Sequence, residues 1–171
     1  MTLLALDAGG TSTRAVALDA DGRVLGYGRG PAGNPTAAGI VPAADAIAGA
    51  ARSALATAGS ADVAVVAMAG EQTDAFREQV TERLTAYGVT RVVLDHDLLA
   101  LFCSGTPAPD GYALIAGTGT VAARVVDGEL AQDAGPSPDL GGGRRGRHRE
   151  DGGVGVHAVE PARGRARDPS R

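Results

Sequence analysis

Three short apolar runs open the chain, each closed by acids or glycines. Leu3 to Leu6 ends at Asp7, Arg14 to Leu18 ends at Asp19-Ala20-Asp21-Gly22, and Arg23 to Gly28 follows at once. Apolar runs separated by Gly- and Asp-rich turns predict strands joined as hairpins. From Ala43 to Ala58 the spacing changes. Ile47, Ala51, Ala54, Leu55 and Ala58 recur at helical intervals, and Gly59 closes the segment. Val63 to Met68 is a continuous apolar run suited to a buried strand. Thr73 is placed to cap a helix carrying Phe76, Val80, Leu84 and Tyr87 on one face, with Gly88 ending it. Arg91 to Leu94 predicts another strand, and Leu98 to Cys103 begins a short helix. After a proline-containing loop from Gly105 to Gly111, Tyr112 to Ala116 and Val121 to Val126 predict strands flanking Gly117-Thr118-Gly119-Thr120. Asp127-Gly128 then predicts a hairpin turn.

The first seven elements, three strands and then helix, strand, helix, strand, predict an α/β layer with a mixed sheet and flanking helices. The hairpin after residue 111 starts something new, the first piece of a second lobe.

Composition narrows the chemistry. Of 171 residues 44% are hydrophobic, mostly Ala and Val, and aromatics are only 3%, so the core is built from small side chains. A formal charge of −4 argues against a nucleic-acid or membrane-surface binder. The chain contains no lysine, which removes every mechanism that needs one. Cys103 stands alone, so one chain holds no disulfide, zinc cluster or iron–sulfur cage. With no cationic-then-apolar leader and no apolar run of membrane-spanning length, a soluble, cytoplasmic protein is expected.

The stretch LALDAGGTSTRAV, residues 4 to 16, breaks the strand pattern with an acid, two glycines and three hydroxyl residues. A Walker A loop is excluded because its lysine is missing. A dinucleotide fingerprint is disfavoured, because Gly9 and Gly10 are adjacent and β-patterned residues follow them. A phosphate cradle built on a β-hairpin fits, with close backbone approach at the glycines and a hydroxyl donor from Thr11. Asp7 would repel phosphate directly but is well placed to hold magnesium through water. An ordinary tight turn fits this stretch equally well. The second Gly/Thr turn, Gly117 to Thr120, shifts the balance, since two such hairpins, each opening a lobe, make a clamp for a nucleotide triphosphate.

Asp7-Ala8-Gly9-Gly10-Thr11 and Gly117-Thr118-Gly119-Thr120 resemble the two phosphate motifs of the actin, heat-shock ATPase and sugar-kinase superfamily. Within it the chain most resembles the N-acetylglucosamine kinases, in the group that also holds the BadF/BadG/BcrA/BcrD-type ATPases. The resemblance runs from residue 3 to about 132. It implies a ribonuclease H-like actin/sugar-kinase lobe over 1–104 and the first hairpin of an incomplete second lobe over 105–133. It further implies transfer of a phosphoryl group from ATP, with Mg2+, to the 6-hydroxyl of N-acetylglucosamine or a similar aminosugar. In that scheme Asn34, in GPAGNP, contacts the sugar, and Met68 to Gly70 resembles the segment after the fourth strand. Asp97 sits where these kinases carry the catalytic aspartate, which also meets the sugar. Asp7, Gly9, Gly10, Thr11, Gly117, Thr118 and Gly119 hold the phosphates and their metal, and Thr120 lies where the sugar is touched. Partners other than the sugar are not implied, and a homodimer stays open for intact relatives.

Each residue has a plainer role available. Asn34 before a proline suits a turn, Asp97 or Asp95 suits a helix N-cap, His96 suits the surface, and Cys103 suits a small buried site. A non-catalytic remnant and an ATPase or activator module are the competing functions. The cysteine-held cluster of the activator branch and the zinc loop of the regulator branch lack their ligands here. The tail, residues 134 to 171, has eight of the sixteen arginines and nine of the twenty-six glycines without apolar periodicity. It is expected to stay outside the fold. A frameshift or sequencing error near residues 133 to 142 would produce such a tail, and a basic nucleic-acid arm is the alternative.

Overall fold

The computed structural model describes residues 1–116 and 120–131. Gly117, Thr118, Gly119 and the tail expected to lie outside the fold are not among them. The chain divides into two compact units, the first ending at Asp97 and the second beginning at Leu98.

In the first unit, β1 (Leu3–Ala8), β2 (Thr13–Leu18) and β3 (Val24–Gly30) form an antiparallel meander. A four-residue helix α1 (Pro35–Ala38) and the long α2 (Ile40–Ala54) lead to β4 (Ala61–Met68). Then α3 (Asp74–Ala86) leads to β5 (Val89–His96). The sheet order is β3-β2-β1-β4-β5, with β1, β4 and β5 parallel. It is the mixed α/β sheet expected.

Period-two alternation directs Leu4, Leu6 and Ala8 of β1, Ala15 and Ala17 of β2, and Ala64, Val66 and Met68 of β4 to one face. There they meet Ile47 and five buried alanines of α2 and the Phe76, Val80 and Leu84 face of α3. Tyr87, expected on that face, is instead the C-cap of α3 and is 37% exposed. The helix stops before a fourth turn can carry it inward, and Gly88 follows at φ +80°. Helix α2 starts three residues before the expected Ala43, because Pro42 falls in the first turn, where its missing N–H leaves nothing unmade. It ends at Ala54, where Ala56 N–H turns back to the Ser53 carbonyl.

Strand β3 alternates Gly26, Gly28 and Gly30 along the face turned to α2. A Cβ built on them would land on the carbonyl oxygens of Ala54, Ala50 and Ala46 respectively. The match is metric. Four residues of helix rise about 6 Å and two residues of strand about 6.6 Å, so each glycine, two residues on from the last, meets a carbonyl four residues away from the last. Helix α2 therefore lies along β3, seated closer than any side chain would permit.

In the second unit, α4 runs Asp97–Gly105, its first residue closing the first unit, and β6 (Gly111–Ala116), β7 (Thr120–Val126) and β8 (Glu129–Leu130) form an antiparallel sheet. Leu98, Phe102, Ala113, Ala123 and Val125 form its core. Asp127 and Gly128 have φ of 52° and 81°, the two positive values a type I′ hairpin turn needs. Cys103 is exposed, not buried as expected. One residue past buried Phe102 turns about 100° around the helix, away from the Leu98/Phe102 face. No described helix is long and apolar enough to cross a membrane.

The glycine seat gives a paired prediction. Gly28→Ala drives a methyl into the Ala50 carbonyl and should cost about 3 kcal/mol. Gly49→Ala, inside α2 with open space around its Cβ position, should gain about 0.5–1 kcal/mol. Urea unfolding of both variants checks the pair, and equal effects would contradict the seat.

Candidate functional site

The parallel strands β1, β4 and β5 end level with one another, since Ala8 pairs with Met68 and Met68 with His96. In an open sheet with parallel strands, the loops beyond the carboxyl ends are where ligands are bound. Three loops and the start of α4 leave this edge, and they carry Gly9 to Thr11, Asn34, Gly70 and Asp97, with Asp7 near the end of β1 beside them.

Asp7 is the last but one residue of β1. Its register partners place it in a row across the sheet that reads Arg29, Arg14, Asp7, Ala67, Asp95. The row lies on the face opposite α2 and α3, with arginines on one side and carboxylates on the other. The Asp7 carboxyl is pushed above the ordinary value of 3.8, chiefly because the surrounding chain strips part of its hydration. The Arg14 guanidinium pulls it down, and the negative charge of Asp97 pushes it up further. Asp7 and Asp97 thus act on each other as like charges within one unit.

The Gly9–Ser12 turn is closed by Gly9 N–H donating to the Ser12 carbonyl at 3.1 Å. Gly10 has nothing within 4 Å of its Cβ position, so one side of the turn is open. The Gly10 and Thr11 N–H groups find no acceptor among the described residues. A turn with unmade donors and no covering side chain is what an anion cradle requires.

Asn34 is the N-cap of α1, with Pro35 at the first helical position. Its Oδ1 accepts from Thr36 N–H at 2.8 Å, which leaves the Nδ2 group as the available donor. Gly70 backs it. At φ +93° only glycine is relaxed there, and a Cβ would strike Asn34 Oδ1. The turn-residue role foreseen for Asn34 is therefore filled, and the amide nitrogen remains over for chemistry.

Asp97 opens α4 directly after β5, so its carboxylate lies in the first turn, where the helix dipole favours negative charge. Asp95 belongs to β5 and accepts from His96 N–H at 2.7 Å, so it does not cap the helix. His96 is exposed. Arg77, which the sequence did not single out, binds the Leu94 carbonyl at 3.2 Å and Gln72 Oε1, holding the loop after β4 to the end of β5. Thr120 opens β7, and Gly117, Thr118 and Gly119 lie outside the described residues. No group of three His, Cys, Asp or Glu among the described residues could hold a metal ion by itself.

No protein-family profile and no curated protein matches the chain. Solved structures do. A protein of Porphyromonas gingivalis, provisionally named as an N-acetylglucosamine kinase, matches with a TM-score of 0.59 at 22% identity, over 80% of this chain and 48% of that one. A ROK family glucokinase from Streptomyces griseus, in complex with glucose and AMPPNP, matches with a TM-score of 0.57 at 23% identity, over 92% of this chain and 49% of that one. An inorganic polyphosphate/ATP-glucomannokinase from Arthrobacter sp. matches at 0.54 and 26% identity, over 78% of this chain and 61% of that one. The fold of the described residues is that of one lobe of these solved sugar-kinase structures. The chain spans about half the length of the Porphyromonas gingivalis protein and of the Streptomyces griseus glucokinase.

The raised Asp7 value has a testable sign. Ionising this carboxyl costs the folded chain, and the cost vanishes below pH 3.8, where it is protonated folded or unfolded. Asp7→Asn should therefore raise the melting temperature at about pH 7 and leave it unchanged at about pH 3. A gain that persists in acid would mean that the cost of ionising Asp7 is not its cause.

Proposed function

We propose that the chain carries the sugar- and phosphate-contacting lobe of an ATP-dependent sugar kinase. The transfer is to the 6-hydroxyl of N-acetylglucosamine or a similar aminosugar. The observation that carries the reading is the Gly10–Thr11 turn, open and with unmade N–H donors, at the strand edge that also holds Asp7, Asn34 and Asp97.

Phosphoryl transfer asks a protein mostly for positioning and charge stabilisation. Asn34 offers its Nδ2 donor to a sugar oxygen and so orients the ring. Asp97 accepts the proton of the attacking hydroxyl as it approaches phosphorus. The Gly9, Gly10 and Thr11 backbone holds phosphate oxygens, and the reading gives Gly117, Thr118 and Gly119 the same task and Thr120 a sugar contact. Magnesium fits the donors present. It keeps most of its waters, takes phosphate oxygens and needs only one or two protein carboxylates. Asp7, strained by lost hydration and by Asp97, is the carboxylate that a hydrated cation would relieve. When bound, the ion neutralises charge on the transferring phosphoryl group.

The chain spans about half the length of such kinases, so this reading assigns it sugar and phosphate contacts and expects weak nucleotide affinity and little turnover from it alone. Titration followed by amide NMR tests it. N-acetylglucosamine should shift Asn34 and Gly70, and MgADP at millimolar concentration should shift Gly9 to Ser12. Asp97→Asn should keep sugar affinity within about tenfold and abolish whatever sugar-dependent ADP release the protein shows. ADP release that ignores the sugar would favour an ATPase instead. Micromolar ATP affinity together with sugar turnover would overturn the expected weakness of the chain alone.

A further inference from the structure

Among the described residues, Thr13 is the one polar side chain that is buried, at 0% exposure. A hydroxyl removed from water costs free energy unless it is bonded, so its partner carries information. Thr13 Oγ1 donates to the Pro31 carbonyl at 2.9 Å. Two residues on, Gly33 N–H donates back to the Gly9 carbonyl at 3.1 Å. These bonds run in opposite directions between the same two pieces of chain, the β1–β2 turn and the segment before α1. The fit around them is tight. A Cβ on Gly33 would fall on Thr13 Oγ1 and Ala8 Cβ, with Ile47 Cγ1 just beyond. Gly33 does not have positive φ, so glycine is required there for room and not for conformation.

What hangs from this tie is the point. Asn34 directly follows Gly33, and Gly10 and Thr11 lie between the tied Gly9 and Thr13. We propose that Thr13 is a positioning residue for both ligand turns at once, its buried hydroxyl holding the Asn34 segment against the Gly9–Ser12 turn so that sugar and phosphate recognition share one support. The inference rests on reading Asn34 as the sugar contact and Gly9 to Thr11 as the phosphate cradle. Thr13 reaches neither ligand in this scheme. It acts through backbone placement, and a displacement of about 1 Å at a recognition element is enough to lose much of its value. Valine at this position keeps the shape but sets a methyl against the Pro31 carbonyl, which loses its donor.

The test uses the whole chain, with N-acetylglucosamine and magnesium pyrophosphate as probes in amide NMR titrations. Thr13→Val should weaken both ligands by about tenfold or more, and Thr13→Ser, which keeps the hydroxyl, should return both to within about threefold. Asn34→Ala should weaken the sugar alone. A merely structural Thr13 would lower the melting temperature and leave both affinities of the folded protein untouched, and that result, or the loss of one ligand only, overturns the proposal. Hydrogen exchange on the wild type keeps the test sharp if the valine variant does not fold. Saturating sugar should then slow Gly9 exchange along with Gly33, and protection confined to residues 33–36 overturns the shared support. A wild-type chain that binds neither probe defeats the functional reading beneath the proposal. Normal binding of both by Thr13→Val defeats only the role of Thr13.

Discussion

Carbonyl oxygens of α2 occupy the space where side chains of β3 would otherwise stand, and the first unit is arranged around that contact. Because Gly26, Gly28 and Gly30 carry nothing, α2 sits low on the sheet, and its inner face has room for little more than methyl groups. That is why its buried positions are alanines apart from Ile47. The one larger side chain is not a random exception. Ile47 fills the volume under Gly33, so the depth of α2 reaches the backbone just before Asn34. Close approach at the edge strand thus also sets the height of the loop that follows β3. Weak Cα–H···O contacts accompany such packing but do not cause it, since the geometry is fixed by what is absent.

Charge is distributed by the same register that builds the core. One face of the sheet is apolar and covered by two helices. The row Arg29, Arg14, Asp7, Ala67, Asp95 lies on the other, where alternation leaves it. Like charges opposite one another in a sheet are unfavourable, and Arg14 beside Arg29 is such a pair. Arg14 also has Asp7 on its other side, which offsets part of that cost. Asp7 in turn feels the negative charge of Asp97, which lies outside the row at the start of α4. A fold that places two carboxylates within each other's influence beside unmade N–H donors is poised for a ligand with both cationic and anionic parts. A metal–phosphate pair has that character.

Much of this was legible in the chain. The meander, the two long helices of the first unit and the strand-to-helix junction at Asp97 follow from period and from turn residues, which act locally. What escaped depends on distance between segments. The LGYGRG run shows three glycines, but nothing in it reveals that a helix backbone will lie on them. Cys103 was misplaced because a lone cysteine has a strong average tendency to be buried, whereas its neighbour Phe102 decides which way α4 faces. Tyr87 was misplaced because periodicity does not say where a helix stops. Thr13 could have been noticed as the hydroxyl residue that falls in phase with Ala15 and Ala17, since a polar group on the core side of a strand must have a partner somewhere.

The polarity of the candidate site follows from which atoms the fold has already used. Asn34 commits its oxygen to the Thr36 N–H, turning it toward α1, and leaves both Nδ2 hydrogens as donors. The Gly10 and Thr11 backbone likewise presents donors, while Asp7 and Asp97 present acceptors alone when ionised. In the proposed reading this division is functional. A hydroxyl about to become a nucleophile must give a proton to an acceptor, and its ring must be held by groups that will not compete for that proton. Had Asn34 offered its oxygen, it would have been a second acceptor, able to bind the hydroxyl without removing anything from it. The helix cap turns that oxygen toward the first turn of α1, so α1, too short to be stable by itself, is better understood as the device that orients the asparagine amide than as part of the scaffold.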